Sequence, residues 1–497
     1  MHACPTARRS ARIALVALAP FAALGLPAGA QCTPSWDTTL GNPGISGGYV
    51  GPMTVWDDGN GPDLYIGGSA TGIGGSAANK YLVRYDPSTG AFSRLGSGIQ
   101  EGTTNAFMTR MRPWDDGTGE KLYVAGQFFS AGGVSGTNSF AAWNGTSWES
   151  LGAGFDQTVP RVIYDMLPLD LGAGEKLYLA GNFADIGEIT GNGLATFDGD
   201  TYGQWGNGIG LPQGVNAFIA ALADWDDGSG RAIYACGRFT SIDGVNATNV
   251  ARYDVASGAW EPFGQRLVPD SSFNNMTSWA VFDDGNGPAL YVGGQQFRIG
   301  GTGQKFNVAK WDGANWTGVG AGQTISGRVQ ELAVFDDGSG PALYMAGTAT
   351  YEVNYFAKLV EGRWVPVLDG GVNNPSIDGG FASAFGLLVW DNKLIVGGNF
   401  SKVGGFDPVS GAGTGTPLNA KGLAVVQGCE PPACIADYNG TPDAGDILDL
   451  LDFIADFSAC EISPAPCGSF GNADINGDTF VDILDFLDFI DSFGSGC

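Results

Sequence analysis

An aliphatic residue followed by Tyr, or once by Ile, returns seven times in this 497-residue chain: Leu64-Tyr65, Leu122-Tyr123, Leu177-Tyr178, Ile233-Tyr234, Leu290-Tyr291, Leu343-Tyr344 and Leu394-Ile395. The spacings are 58, 55, 56, 57, 53 and 51 residues. A period of that length leaves room for four short strands and their loops, and a regular period of this kind marks a repeat architecture. The 82 glycines and the low charged fraction of 15% suit short strands and tight turns better than long helices.

The strand order inside a unit is legible. A first strand such as "ELAVFDDG", from Glu331, turns at Asp-Asp-Gly into a second, "LYMAG", from Leu343. A glycine-rich loop leads to a third, "FAAWNG" from Phe140, and a tight turn gives the fourth, "SWESLG" from Ser147. The seventh unit stops after its third strand, "GLAVVQG", ending at Gly428. At the other end of the chain, "SWDTTLG" from Ser35 shares with "SWESLG" a tryptophan followed shortly by Leu-Gly. The N-terminal strand is therefore expected to complete the last unit. The expected fold is all-β, a seven-bladed β-propeller spanning residues 31–428. Cys32 and Cys429 flank the two strands that would close it, which predicts a disulfide between them.

In these repeats a strand ending in Gly-Gly or Ala-Gly (Gly67-Gly68, Gly293-Gly294, Gly397-Gly398) precedes an aromatic in the next strand (Tyr85, Trp143, Phe197, Tyr253, Trp311). A second aromatic follows five to seven residues later (Phe92, Trp148, Tyr202, Trp260, Trp316). That pattern resembles the kelch class of propellers, and "LYVAGQFFSAGG" and "WNGTSWESLGAG" are similar to repeats of bacterial secreted proteins and fungal cortical polarity markers. The resemblance implies a fold, since propellers host binding proteins and enzymes alike.

Asp-Asp-Gly occurs at Asp57-Asp58, Asp115-Asp116, Asp226-Asp227, Asp283-Asp284 and Asp336-Asp337, always between the first and second strands. The third unit has "LDLGAGEKLY" and the seventh "WDNKLI". A loop that loses its acids while keeping its strands is a turn device, Asp tolerating turn geometry and Gly supplying positive φ. The alternatives are a weak cation site in each loop or an acidic ring on one face.

With 51 Asp and Glu against 24 Lys and Arg, the net charge is −27. Nothing is available to neutralise phosphates along a surface, so no nucleic-acid partner is expected. Arg8, Arg9 and Arg12 precede an apolar run from Ile13 to Leu26, and Ala28-Gly29-Ala30 offers a cleavage site. Residues 1–30 therefore read as an export signal, and the mature chain as secreted or at the cell surface. No later apolar run is long enough for a transmembrane segment. Removing the signal removes His2, the only histidine, which rules out Ser-His-Asp or Cys-His catalysis and histidine-ligated metals in the mature chain.

Function is sought where the copies disagree. Four positions before the aromatic of the first strand they read Pro52, Arg110, Asp165, Ala221, Ser278, Glu331 and Gly386. This places Arg110, Asp165 and Glu331 near one mouth of a central channel. They are either acid and base groups for a glycoside or uronide, or solvated rim charges. Phe107, Tyr164, Phe273 and Tyr351 are loop aromatics suited to sugar stacking or protein contact, or are buried strand ends. Cys236, in a second strand, is expected to be a buried free thiol.

Composition changes abruptly at residue 429. Residues 429–497 hold 14 acids and no Lys or Arg, in two copies of one unit, "ADYNGTPDAGDILDLLDFIADF" from Ala436 and "ADINGDTFVDILDFLDFIDSF" from Ala473. The second copy places Asp474, Asn476, Asp478, Phe480, Asp482 and Asp485 at positions 1, 3, 5, 7, 9 and 12 of a Ca²⁺ loop ahead of a helix. The pattern resembles the duplicated calcium loop-helix of dockerins, here ending in Gly496-Cys497 as in planctomycete-like secreted proteins. The resemblance implies a small α-helical domain that takes a cohesin-like or envelope protein as partner. Thr479 stands where the loop prefers Gly, and the first loop, with Asp437, Asn439, Asp443 and Asp449, is one residue longer. One good calcium site and one weaker one are expected. The four cysteines Cys434, Cys460, Cys467 and Cys497 allow three disulfide connectivities.

The sequence thus favours a binding protein displayed through a calcium-dependent module, with a possible glycan or protein ligand on the propeller. The rival is a carboxylate-based polysaccharide hydrolase or lyase docked to an extracellular assembly.

Overall fold

The computed structural model describes residues 34–428, apart from 153, 156–160, 211–215, 272–274, 302, 321, 324, 349–353, 369, 374–381 and 406–415. The export signal, Cys32, the whole 429–497 segment with its calcium ligands, Phe273 and Tyr351 lie outside the described residues. Every described element is a β-strand, and no described helix is long and apolar enough to cross a membrane.

Seven antiparallel sheets follow one another along the chain, each with four strands in up-and-down order, and, among the described residues, five smaller sheets of two or three short strands form in the loops between them. Their first strands are Val50–Asp57, Phe107–Asp115, Val162–Asp170, Phe218–Asp226, Met276–Asp283, Val329–Asp336 and Ala384–Trp390. The fifth sheet gains an extra strand, Leu267–Pro269, on its long second strand Pro288–Ile299. In the seventh, Ser35–Asp37 pairs with Leu423–Gln427, Trp36 opposite Val426, as the N-terminal pattern predicted.

Alternation along each strand puts apolar side chains on both faces, so each sheet needs a neighbour on either side. An apolar layer lies between every consecutive pair. Trp56 and Tyr65 of the first sheet meet Met111, Leu122 and Val124 of the second, for example. A further layer joins the ends of the series, with Val50, Leu64 and Ile66 against Ile395, Leu423 and Val425. Consecutive first strands are neighbours, and Ala384–Trp390 is in turn a neighbour of Val50–Asp57. Side-chain donors stitch the layers together. Trp148 Nε1 donates to Leu95 O at 3.0 Å, Tyr202 Oη to Leu151 O at 2.7 Å, and Trp36 Nε1 to Leu368 O at 3.4 Å.

The Asp-Asp-Gly segments are turns. Asp57 Oδ1 accepts from the backbone N–H of Gly59 and Gly61 at 2.8 and 2.9 Å. Asp115, Asp226, Asp283 and Asp336 do the same with their own glycines. The third unit keeps this device through Asp170, which accepts from Gly172 and Gly174. It has lost only the second acid, not both. The second acids face inward instead. Asp116 accepts from Tyr123 Oη at 2.9 Å and Lys121 Nζ at 3.0 Å, and Asp337 from Tyr344 Oη at 2.9 Å and Lys358 Nζ at 2.6 Å. These carboxylates therefore neutralise a cation and satisfy a buried tyrosine hydroxyl.

Candidate functional site

Six first strands carry a β-bulge near their start, and pairing resumes one residue later. It resumes at Arg110 opposite Ala125, Asp165 opposite Ala180, Ala221 opposite Cys236, Ser278 opposite Gly293, Glu331 opposite Ala346 and Gly386 opposite Gly397. The first sheet shifts register between Val50 and Met53, across Pro52. The seven positions singled out by their variability are thus one structural layer. Close approach of the first strand near its bulge explains the recurrent glycine of the second strands: a Cβ on Gly126 would lie 2.2 Å from Phe107 O, and one on Gly347 2.0 Å from Arg328 O. The carbonyl two residues before the bulge occupies that space, and a small partner is required.

A cavity of about 320 Å³ opens at this layer, and all seven first-strand regions line it. Its walls include Tyr49 and Phe385, with ring centroids 4.5 Å apart, and Tyr164 and Phe218, 5.2 Å apart. Polar groups come from Thr109, Arg110, Asn275, Thr277, Arg328, Gln330 and Glu331. The turns lie at the opposite end of the same strands, about 20 Å away at the usual rise per residue.

The structure brings Arg110, Asp165 and Glu331 together. Arg110 Nε lies 2.8 Å from Asp165 Oδ1, a pair held by charge rather than by an aligned hydrogen bond, and Arg110 Nη1 lies 3.9 Å from Glu331 Oε1. Asp165 is only 1% exposed. Its Oδ1 accepts from its neighbour Met166 N at 2.9 Å, and its Oδ2 from Leu222 N in the next sheet at 2.8 Å. Glu331 repeats the motif in the sixth sheet, with Oε2 accepting from Leu387 N in the seventh at 2.9 Å. The expectation of solvated rim charges is not met. Both carboxylates bond a neighbouring sheet's backbone, where a lost acceptor would leave a buried N–H unpaired.

Burial works against the charge of Arg110, but Asp165 and Glu331 outweigh it and hold its pKa above the ordinary arginine value. Arg112, whose Nε donates to Met166 O at 3.1 Å, is pushed down by burial and by Arg110. Burial pushes the Glu331 carboxyl up, opposed by Arg110 and by the Leu387 N–H. Glu331 remains partly exposed to the cavity, its side chain at 26%. Among the described residues, no group of His, Cys, Asp and Glu side chains is arranged to hold a metal ion. Cys236 is a buried free thiol in the layer between the fourth and fifth sheets, and burial raises its pKa well above the usual thiol range.

Of the four aromatics proposed from sequence, Tyr164 lines the cavity, while Phe107 opens the second sheet's first strand and is not among the lining residues. Tyr49, Phe385, Asn275 and Arg328 were missed. They lie one to three residues upstream of the aligned layer. Extending the alignment in that direction would have reached Gln330, Phe385 and Arg328.

No protein-family model matches this chain, and no curated protein matches it. Among solved structures it is similar to the computationally designed Ika8 protein at 12% identity, over 78% of this chain and 98% of that one, with a TM-score of 0.39. It is similar to Raptor of Chaetomium thermophilum at 12% identity, over 80% of this chain and 29% of that one, with a TM-score of 0.38.

Proposed function

We propose that this is a secreted or cell-surface binding protein whose seven sheets are the blades of a closed, kelch-like β-propeller. In this reading residues 1–30 direct export. Residues 429–497 form a dockerin-like module that binds Ca²⁺ through Asp474, Asn476, Asp478, Phe480, Asp482 and Asp485 and anchors the chain to a cohesin-like or envelope protein. The propeller then presents its cavity to a glycan or protein.

One observation carries the choice of binding over catalysis. The cavity has a wall contributed by every repeat, yet Glu331, which lines it, and Asp165, paired with the lining Arg110, are engaged by backbone donors and by Arg110. A general acid and base pair needs carboxyl oxygens free to reach a glycosidic oxygen and a water. Asp165, buried and fully bonded, does not offer that. The raised pKa of Glu331 is the feature that favours the hydrolase or lyase alternative, because a protonated carboxyl is what a general acid requires.

The test uses the full mature chain with a panel of polysaccharides and with envelope extract, in calcium and in chelator. The expected result is saturable retention of a glycan or protein without turnover, and chelator-sensitive attachment to one envelope protein. Polysaccharide cleavage lost in Glu331→Gln would replace this reading with the enzymatic one, and attachment indifferent to chelator would remove the calcium anchor.

A further inference from the structure

The cavity mouth has a charge opposite to that of the chain. Arg110 is neutralised by Asp165 and Glu331, but Arg328 and Arg238 pair with no carboxylate among the described residues. Arg328 lines the cavity, gives one N–H to Gln295 Oε1 at 3.2 Å, and keeps a buried Nε with no acceptor. Arg238 lies over the Phe218 ring, 5.0 Å from its centroid, and donates to Asn216 O at 2.8 Å. The two guanidiniums are close enough for Arg238 to lower the pKa of Arg328, after burial. Arg328 on the cavity wall and Arg238 over the wall residue Phe218, neither paired with a carboxylate among the described residues, in a protein of net charge −27, suit an anion from outside.

The rest of the wall limits what that anion is attached to. Tyr49 with Phe385, and Tyr164 with Phe218, present aromatic surface, while Thr277, Asn275 and Gln330 add neutral hydrogen-bonding groups. Flat aromatic surface beside amide and hydroxyl groups suits a pyranose ring with its hydroxyls. A volume of about 320 Å³ accommodates one or two such rings rather than a folded partner. We propose that the cavity binds a carboxylate-bearing sugar unit of a polysaccharide, its carboxylate on Arg328 and Arg238 and its ring against the aromatic pairs. This rests on the reading of the protein as a glycan or protein binder and names the ligand class.

The test is calorimetric titration of the full mature chain, in calcium, with trigalacturonate, its carboxyl-reduced neutral counterpart and triglutamate. Trigalacturonate is expected to bind at least about tenfold more tightly than either of the others, and Arg328→Gln to lose about tenfold or more at unchanged thermal stability. If Arg328→Gln fails to fold, Arg238→Gln serves instead, with a loss of several-fold expected. Equal binding of the neutral sugar, preference for triglutamate, or no binding of trigalacturonate at millimolar concentration overturns the inference. Where a neutral glycan or a protein is retained and trigalacturonate is not, the binding reading stands and only the anionic specificity falls. Where nothing is retained in either experiment, both fall.

Discussion

The two ends of the seven first strands are made of the same residue types used in opposite ways. At the turn end an acid recurs in six copies and accepts from its own loop's glycines, so repetition there reports a local need met independently in each sheet. At the bulge end the copies diverge, and the acids of two sheets reach across to the backbone of the next. What repeats builds each sheet and packs it on its neighbour; what differs adds cross-sheet bonds at one end and shapes the cavity.

That contrast makes the bulge end the more damaging place to cut. Asp165→Ala leaves Leu222 N–H without its acceptor and Arg110 without its nearest counter-charge, and breaking a buried pair of this kind costs about 3–5 kcal/mol. Denaturant unfolding should show that loss, whereas Asp165→Asn, which keeps an acceptor, should lose less. Trp36→Ala comes next at about 3 kcal/mol, since it removes an aromatic packed against Phe356 and the bond to Leu368 O. A loss well under 1 kcal/mol would mean that the N-terminal strand is an ornament of the seventh sheet.

Alanine at Asp57, Asp115, Asp226, Asp283 or Asp336 should cost about 1 kcal/mol each, nearly the same in every copy. Widely scattered values would break the claim that each turn is independent.

The smallest effects distinguish the ends by sign. At Asp116 burial opposes ionisation, but donors from Thr118, Lys121 and Tyr123 outweigh it and hold the pKa at about 2. Its contribution is present above the unfolded aspartate range and is lost as pH falls toward about 2. Asp227, Asp284 and Asp337 shift in the same direction. Glu331 shifts the other way: its contribution is complete below the unfolded glutamate range and declines as pH rises through its elevated folded value. Asp116→Asn should therefore flatten the acid limb of a melting-temperature profile. Glu331→Gln should match the parent in acid and gain on it toward neutrality. A Glu331→Gln profile parallel to the parent throughout would refute the raised pKa.

Much of the sheet architecture was legible because its requirements are local. Gly-Gly, Asp-Asp-Gly and the paired aromatics each answer a need inside one hairpin, and "SWDTTLG" could be matched by pattern to a strand missing at the far end. The cavity was legible only in part. Arg110, Asp165 and Glu331 fell in register because they follow the bulge and share a fixed distance to the turn. Phe385 occupies the bulge itself and Arg328 and Tyr49 lie three residues before the shared position, outside the single register position that variability singled out. The bond from Asp165 to Leu222 N was illegible in principle, because its acceptor role depends on the stacking of two sheets and not on any spacing along the chain.

The strand Ser35–Asp37 is among the first described residues to be synthesised, and its partner Leu423–Gln427 among the last. Gln427 Nε2 donates to Asp37 Oδ2 across a separation of 390 residues, so the contact that finishes the seventh sheet carries a high loop-closure cost. Until the final repeat arrives, the early strand has no place to pair. A chain released before Leu423–Gln427 is made, with any number of intact repeats, leaves Ser35–Asp37 without its partner strand. The topology thereby acts as a length check, because the outer strand of the seventh sheet finds its partner only once the last repeat has been made.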